Sequence, residues 1–282
     1  MFATIKGRFA PSPTGPLHFG SLVAAVASFV DARAAGGHWL VRIEDVDTPR
    51  TVIGAADTIL RSLEAHGLHW DGPVMVQSKR SDAYGEALAR LGAAIYPCGC
   101  SRRDVLGRYP GTCRTGVADA RKASALRLRV PHNRPIAFTD RLRGVITEAL
   151  DQTCGDFVLR RADGIYAYQL AVVVDDAAQG ITDVVRGSDL LDSTARQVYL
   201  YEALGASPIP RYLHLPIVCD PSGVKLSKQT GAPALDDADA SGSLWRALEF
   251  LNQSPPLELR RDSPQALLAW AIRNWKWSAL AL

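Results

Sequence analysis

Residues 5–10 are mostly apolar and run into Pro11-Ser12-Pro13-Thr14-Gly15-Pro16, which a strand cannot continue through because proline lacks the amide that a sheet needs. Residues 21–35 (SLVAAVASFVDARAA) then read as a helix with Ser21 as its N-cap, stopped by Gly36-Gly37. Residues 38–43 (HWLVRI) read as a second apolar strand, ending at Glu44-Asp45. Strand, turn, helix and strand make a βαβ unit, which implies an α/β fold with a parallel sheet and a right-handed crossover. Ligands in such sheets sit beyond the carboxyl ends of the strands, where residues 11–20 and 44–47 both fall.

Further along, residues 53–66 read as a helix, 74–77 as a strand and 84–91 as a short helix. Residues 157–174 read as two strands joined at Asp163-Gly164, a strong hairpin signal. A strand at 181–185, a helix at 193–204 and a strand at 214–218 follow, before the turn Asp220-Pro221-Ser222-Gly223. Residues 241–252 and 263–282 look mostly helical. Cys219 reads as a core residue, and Trp270, Trp275 and Trp277 as packing a terminal helix.

The chain has 282 residues, 47% hydrophobic and 22% charged, which suits two compact domains or one domain carrying an insertion. No apolar run approaches the roughly 20 residues of a membrane helix. The N-terminus lacks the pattern of a signal peptide. Five cysteines, three of them within sixteen residues, fit a reducing compartment and a metal site better than disulfides, so the cytoplasm is expected. The net charge of +3 is unevenly spread: residues 1–95 are neutral, residues 96–163 carry +6 and residues 164–282 carry −3. A basic island of this kind suits a polyanion such as nucleic acid, although a solvated basic surface would look the same.

Three constellations carry chemistry. His18, Gly20 and Ser21 at a strand-to-helix turn make an anion site, because the glycine admits a phosphate to the backbone and the helix start supplies amide donors. His18 can donate to a phosphate oxygen as charge builds on it. Lys225-Leu226-Ser227-Lys228-Gln229, after a Pro-Ser-Gly turn, puts two lysines where they can bracket the phosphates of ATP. Cys98-Gly99-Cys100 with Cys113 suits a structural zinc, which normally takes four ligands. Tyr109, His132 and Cys154 are candidates for the fourth, and spacing alone favours a histidine or a cysteine.

With these motifs in this order, the sequence resembles the class I glutamyl-tRNA synthetases, and more narrowly their short paralogues, the glutamyl-queuosine tRNA(Asp) synthetases. The His18 element is similar to that class's HIGH signature and residues 225–229 to its KMSKS signature. Further matches are residues 8–15, Ile43-Glu44-Asp45-Val46-Asp47, Gln77-Ser78, Val172-Val173-Val174-Asp175-Asp176 and Val185-Arg186-Gly187, so that the likeness runs from residue 5 to about residue 231. It implies a Rossmann-like catalytic domain with an inserted zinc-bearing subdomain that grips the tRNA acceptor end, and a mostly helical C-terminal portion. The boundaries expected are 1–95 and 164–213 for the two catalytic halves, 96–163 for the insertion, and 214–282 for the KMSKS-like loop and helical end.

The resemblance also implies roles. Arg8, Phe9, Ala10, Pro11, Ser12, Glu44, Tyr168 and Arg186 would form the glutamate pocket. Arginine forks and a tyrosine hydroxyl suit its carboxylates, and Glu44 suits its ammonium. Asp45 or Asp47 could share the ammonium or act as turn caps. His18, Gly20, Lys225, Ser227 and Lys228 would bind ATP with its magnesium, with His18 and Lys228 catalytic. The short paralogues use a tyrosine four residues before the last cysteine as a zinc ligand, which corresponds to Tyr109 beside Cys98, Cys100 and Cys113. The partners implied are L-glutamate, ATP and tRNA, with no membrane and a monomeric chain.

Leu226, Gln229 and Phe19 depart from the family signatures, but both lysines, the outer histidine and the glycine remain. The chain stops about fifty residues after the KMSKS-like loop, so the anticodon-binding region of the full-length enzymes is expected to be lacking. The resemblance implies activation of L-glutamate with ATP to glutamyl-adenylate and its transfer to the queuosine base of tRNA(Asp). The alternatives are an enzyme that charges the 3′ end of tRNA(Glu), a non-catalytic tRNA-binding paralogue, and a small-molecule nucleotidyltransferase.

Overall fold

The computed structural model describes residues 4–117, 124–219, 226 and 233–280. β1 (Lys6–Phe9) leads through the proline-rich loop into α1 (Phe19–Ala34), and β2 (His38–Ile43) returns parallel to β1, with Lys6 opposite His38 and Phe9 opposite Val41. Gly37 makes this corner possible, since a Cβ there would run into the Ile5 carbonyl oxygen. The helix opens at Phe19, earlier than a Ser21 cap would have it. The His18 carbonyl accepts the Ser21 and Leu22 amides at 2.9 and 3.0 Å, and buried Leu17 pins the turn into the core.

α2 (Ala55–Ala65) crosses to β3 (Met75–Val76), which pairs parallel to β2, and α3 (Ser81–Leu91) follows. β4 (Ile95–Cys98) and β5 (Ala125–Leu128) pair antiparallel. β6 (Ile136–Asp140) and β7 (Gly144–Glu148) form a hairpin, and the single turn α4 (Leu150–Thr153) leads to β8 (Phe157–Arg160), which returns to β5. Then come α5 (Tyr168–Gln179), β9 (Asp183–Gly187), α6 (Leu191–Leu204), β10 (Arg211–Leu215), α7 (Ala240–Phe250) and α8 (Pro264–Asn274).

Three sheets result: β1-β2-β3, β7-β6-β10-β9 and β4-β5-β8. β10 runs parallel to both β9 and β6, and the Thr182 amide donates to the Lys6 carbonyl at 3.0 Å, which lays β9 alongside β1. Residues 136–148 therefore extend the parallel sheet, although they lie within the basic segment 96–163. β4, β5 and β8 form the separate antiparallel sheet of that segment.

The expected hairpin at 157–174 forms only in part. Gly164 makes the turn at φ 88°, Arg161 donates to the Ile165 carbonyl at 2.8 Å, and one bridge joins Arg160 to Tyr166. The chain then coils into α5 at Tyr168 instead of forming a second strand. Three successive valines favour a strand locally, but every residue from Gln169 to Asp176 is buried, and a run without polar alternation suits an enclosed helix equally well.

One hydrophobic core lies between α1, α2, α7, α8 and the first parallel strands, and a second between α3, α5, α6 and the sheet of β9. A small third core holds Tyr96, Cys98, Tyr109 and Cys113. Trp270 and Trp275 pack against the first core, whereas Trp277 is 38% exposed beneath the Arg141 guanidinium. Cys219 is exposed rather than buried, because β10 ends at Leu215 and the chain leaves the sheet before reaching it. Among the described residues no helix is long and apolar enough to cross a membrane.

Candidate active site

β1, β2 and β9 end at one side of the molecule, and a cavity of about 460 Å³ opens there. Its lining includes Arg8, Phe9, Ala10, Pro11, Ser12, His18, Gly20, Glu44, Tyr168 and Arg186, ten residues that the sequence places in five separate stretches. Leu226 of the KMSKS-like element also lines it, as do Arg50, Asp189, Leu215, Pro216 and Val218, which no motif marks. Lys225, Ser227 and Lys228 lie outside the described residues. Leu226, between them, lines the cavity and donates its amide to the Val218 carbonyl at 2.9 Å.

Backbone hydrogen bonds brace the loop that frames this cavity. The Glu44 amide donates to the Pro11 carbonyl and the Leu235 amide to the Leu17 carbonyl, both at 2.9 Å, and His18 bridges to Ala234. Gly20 leaves room for the His18 ring, whose Cε1 and Nδ1 would lie 3.2 and 3.3 Å from a Cβ at that position.

Beneath the cavity lies a buried ionic network. Arg8 Nε donates to Asp176 at 3.2 Å, and Arg42 Nη1 donates to the same carboxylate at 2.7 Å. Arg42 also reaches Glu44 through Nη2 at 3.1 Å and Gln179 through Nη1 at 2.7 Å. Burial would disfavour the Arg42 charge, but Asp176, Glu44 and Asp175 overcome this and raise its pKa. Burial likewise pushes Asp176 upward, yet Arg42 and Arg8 outweigh it and hold the carboxyl below its usual range. For Glu44 the balance reverses: burial raises its pKa despite Arg42 and Arg8. A cation entering the cavity beside Glu44 would supply the charge that this carboxylate needs.

Asp175 accepts from Gln77, Arg80 and Tyr84 at 2.7–2.9 Å, which ties α5 to α3. Asp45 accepts the Ser78 amide and hydroxyl at 2.8 and 2.7 Å, and Asp47 pairs with Arg50 and Arg161. Both aspartates thus fasten turns, while Glu44 alone of the three lines the cavity. On the opposite wall Arg186 donates to Tyr168, Gln197, Thr194, His214 and the Leu190 carbonyl.

The Sγ atoms of Cys98, Cys100 and Cys113 lie within 4.8 Å of one another, with Cys100 and Cys113 3.6 Å apart. Tyr109 Oη stands 3.3 Å from Cys98 Sγ and accepts the Cys113 amide at 2.9 Å. Four atoms tetrahedral about zinc at about 2.0–2.3 Å are separated by about 3.3–3.8 Å, so this donor set fits the metal. His132 instead faces Asp151, and the Cys154 thiol bonds to local carbonyls. Burial would raise the Cys98 thiol, but hydrogen bonds from Tyr109, the Cys100 amide and Arg127 bring it down to about 7. The Arg127 guanidinium stacks 3.8 Å over the Tyr109 ring and donates to Cys98 Sγ at 3.2 Å.

A profile of the class I tRNA synthetases (E and Q), catalytic domain, matches residues 4–105 and 108–248. The chain is 55% identical to a glutamyl-Q tRNA(Asp) synthetase of Dechloromonas aromatica, over 99% of this chain and 97% of the relative. It is 54% identical to another of Thiobacillus denitrificans, over 97% and 94% respectively. Among solved structures, the glutamate-tRNA synthetase of Elizabethkingia anophelis superposes with a TM-score of 0.82 at 25% identity, covering 98% of this chain and 66% of that one. A methionyl-tRNA synthetase of Mycobacterium tuberculosis, at 13% identity and a TM-score of 0.58, shares the fold. The chain belongs to the class I tRNA synthetases of the glutamate and glutamine group.

Proposed function

We propose that this chain activates L-glutamate with ATP and transfers the glutamyl group to the queuosine base of tRNA(Asp). The observation that carries the reading is the cavity itself, in whose lining Arg8, Arg186 and Glu44 can complement two carboxylates and one ammonium. Arg8 and Arg186, with the Tyr168 hydroxyl and the loop residues Phe9, Ala10, Pro11 and Ser12, hold the carboxylates, and Glu44 takes the ammonium. A glutamate α-carboxylate oxygen attacks the α-phosphorus of ATP, the bond to the leaving pyrophosphate breaks, and glutamyl-adenylate forms. A nucleophile on the base then takes the glutamyl group as AMP departs. No covalent enzyme intermediate is needed, so the protein acts by positioning and charge stabilisation.

His18 and Gly20, at the positive end of α1, meet the phosphates, together with Lys225, Ser227 and Lys228 and an accompanying magnesium ion. Cys98, Cys100, Tyr109 and Cys113 hold one structural zinc, which braces an irregular loop and takes no part in the chemistry. Residues 1–95 and 164–213 supply the catalytic halves and the basic residues 96–163 meet the tRNA, while residues 214–282 carry the lysine loop and the C-terminal helices.

The deciding experiment offers labelled glutamate and ATP with total tRNA from cells that make queuosine and from cells that cannot. Label only on the queuosine-containing tRNA, bonded to the base, is the expected result. Equal labelling of both samples would replace this reading with charging of the 3′ end of tRNA(Glu). Absence of labelling, and of ATP–pyrophosphate exchange, would mark a non-catalytic tRNA-binding paralogue.

A further inference from the structure

We propose that His214 and Asp140 are positioning residues, which lock the Arg186 guanidinium so that only its Nη1/Nη2 edge is offered to the amino-acid carboxylate. The inference rests on the reading of Arg186 as a glutamate-binding residue.

The argument begins with what each atom can do. Arginine Nε is always a donor, and it lies 3.1 Å from His214 Nε2, so that nitrogen must be the acceptor of the imidazole. The proton of a neutral ring then sits on Nδ1, which lies 2.8 Å from Asp140 Oδ2 and donates to it. Asp140 is itself held: Oδ2 accepts the His214 amide at 3.0 Å, and Oδ1 accepts the Leu142 and Arg143 amides at 2.9 and 3.0 Å. His214 and Asp140 are both fully buried. A protonated ring would place a second cation directly against Arg186, and burial together with that charge disfavours it.

The remaining bonds of Arg186 fall into two groups. Gln197 Oε1 and Thr194 Oγ1 each accept at 2.9 Å, and Gln197 is oriented by donating its own amide to Gln169 at 3.0 Å. The contacts to Tyr168 Oη and the Leu190 carbonyl are longer, at 3.3 and 3.4 Å. These are the weak bonds that an entering carboxylate can replace. Because His214 occupies Nε, a side-on pairing through Nε is closed, and a ligand must bind end-on. Asp140 thus acts two steps from the substrate, by keeping His214 in the one tautomer that accepts from Arg186.

The test measures KM for glutamate, KM for ATP and kcat in ATP–pyrophosphate exchange for His214→Gln, His214→Asn and Arg186→Gln. Glutamine can set an oxygen acceptor where Nε2 stood, whereas asparagine reaches only the Nδ1 position. His214→Asn should raise KM for glutamate roughly ten-fold or more, the loss expected when a bond to a charged group is removed, with KM for ATP unchanged. His214→Gln should recover most of that affinity. Equal behaviour of the two His214 variants would reduce the residue to packing and overturn the proposal. An unchanged KM for glutamate in Arg186→Gln would instead remove the reading on which it rests. The ¹⁵N shifts of the histidine rings in the unsubstituted chain give an answer that no folding defect can obscure. Protonated Nδ1 with bare Nε2 at His214 is expected, and the opposite tautomer would refute the relay.

Discussion

His214 differs from an ordinary surface histidine in a way that stability can report. Burial depresses its pKa, the bond to Asp140 offsets part of this, and Arg186 and Arg143 add to the lowering, so that the net direction is down. The folded value therefore lies below the unfolded value of about 6.5, so the unfolded chain binds more protons in the interval between the two. The corresponding stability is fully present above about pH 6.5 and is lost as the pH falls from there toward the folded value. Urea midpoints should thus decline between pH 7.5 and 5.5, and His214→Gln, which cannot titrate, should show a shallower decline. An equal slope in the variant would mean that other groups set the acid sensitivity. Asp140 acts in a lower window. Burial raises its pKa, but the bond from His214 and the Arg143 and Leu142 amides bring it below the usual carboxylate value, so its contribution fades only below about pH 4.

Between elements, one of the contacts that hold the cysteine-bearing loop lies at the turn before β8. The Tyr109 amide donates to the Cys154 carbonyl at 3.0 Å, and Tyr109 bridges to Gly155 just before β8. Gly155 has φ 67°, and a Cβ there would drive into the Tyr109 carbonyl oxygen. Glycine is required both for the backbone angle and for the approach. Gly155→Ala should displace Tyr109 from the thiols, so that added zinc, once taken up by the cysteine cluster, resists a chelator less, while glutamate-dependent pyrophosphate exchange persists. Zinc retention equal to that of the unsubstituted chain would show that Tyr109 Oη does not depend on this contact.

For the whole molecule, the separation of the cores matters most. Tyr96, Cys98, Tyr109 and Cys113 form a cluster of their own, apart from the two large cores behind the cavity. So small a core stands only with help from a metal or from its surroundings. Chelation should therefore open residues 98–117 to limited proteolysis while the main thermal transition stays within a few degrees. Glutamate activation should continue as transfer to tRNA fails, because the cavity and the basic loop are held by different cores. Simultaneous loss of both activities would show that the metal supports the whole fold.

The sequence by itself determined the βαβ opening, the strand ends that face the cavity and the cysteine trio, because each is written in local turn chemistry, periodicity or close spacing, whereas Tyr168 and Arg186 were within reach only through the resemblance. Even Tyr109, four residues before Cys113, was within its reach through the resemblance. Only the tertiary structure decided that Arg42 and Asp176 meet beneath the cavity, 134 residues apart in the chain. The same holds for Asp140 and His214, separated by 74 residues. Their meeting depends on β6 joining β10 in the parallel sheet, a pairing between distant segments that no local pattern encodes. The helix at 168–179 is hidden from local pattern for a related reason. A buried valine run satisfies strand and helix alike, and what selects the helix is the enclosure around it, together with the partners of Asp175 and Asp176, Tyr84 on α3, Arg8 on β1 and Arg42 on β2.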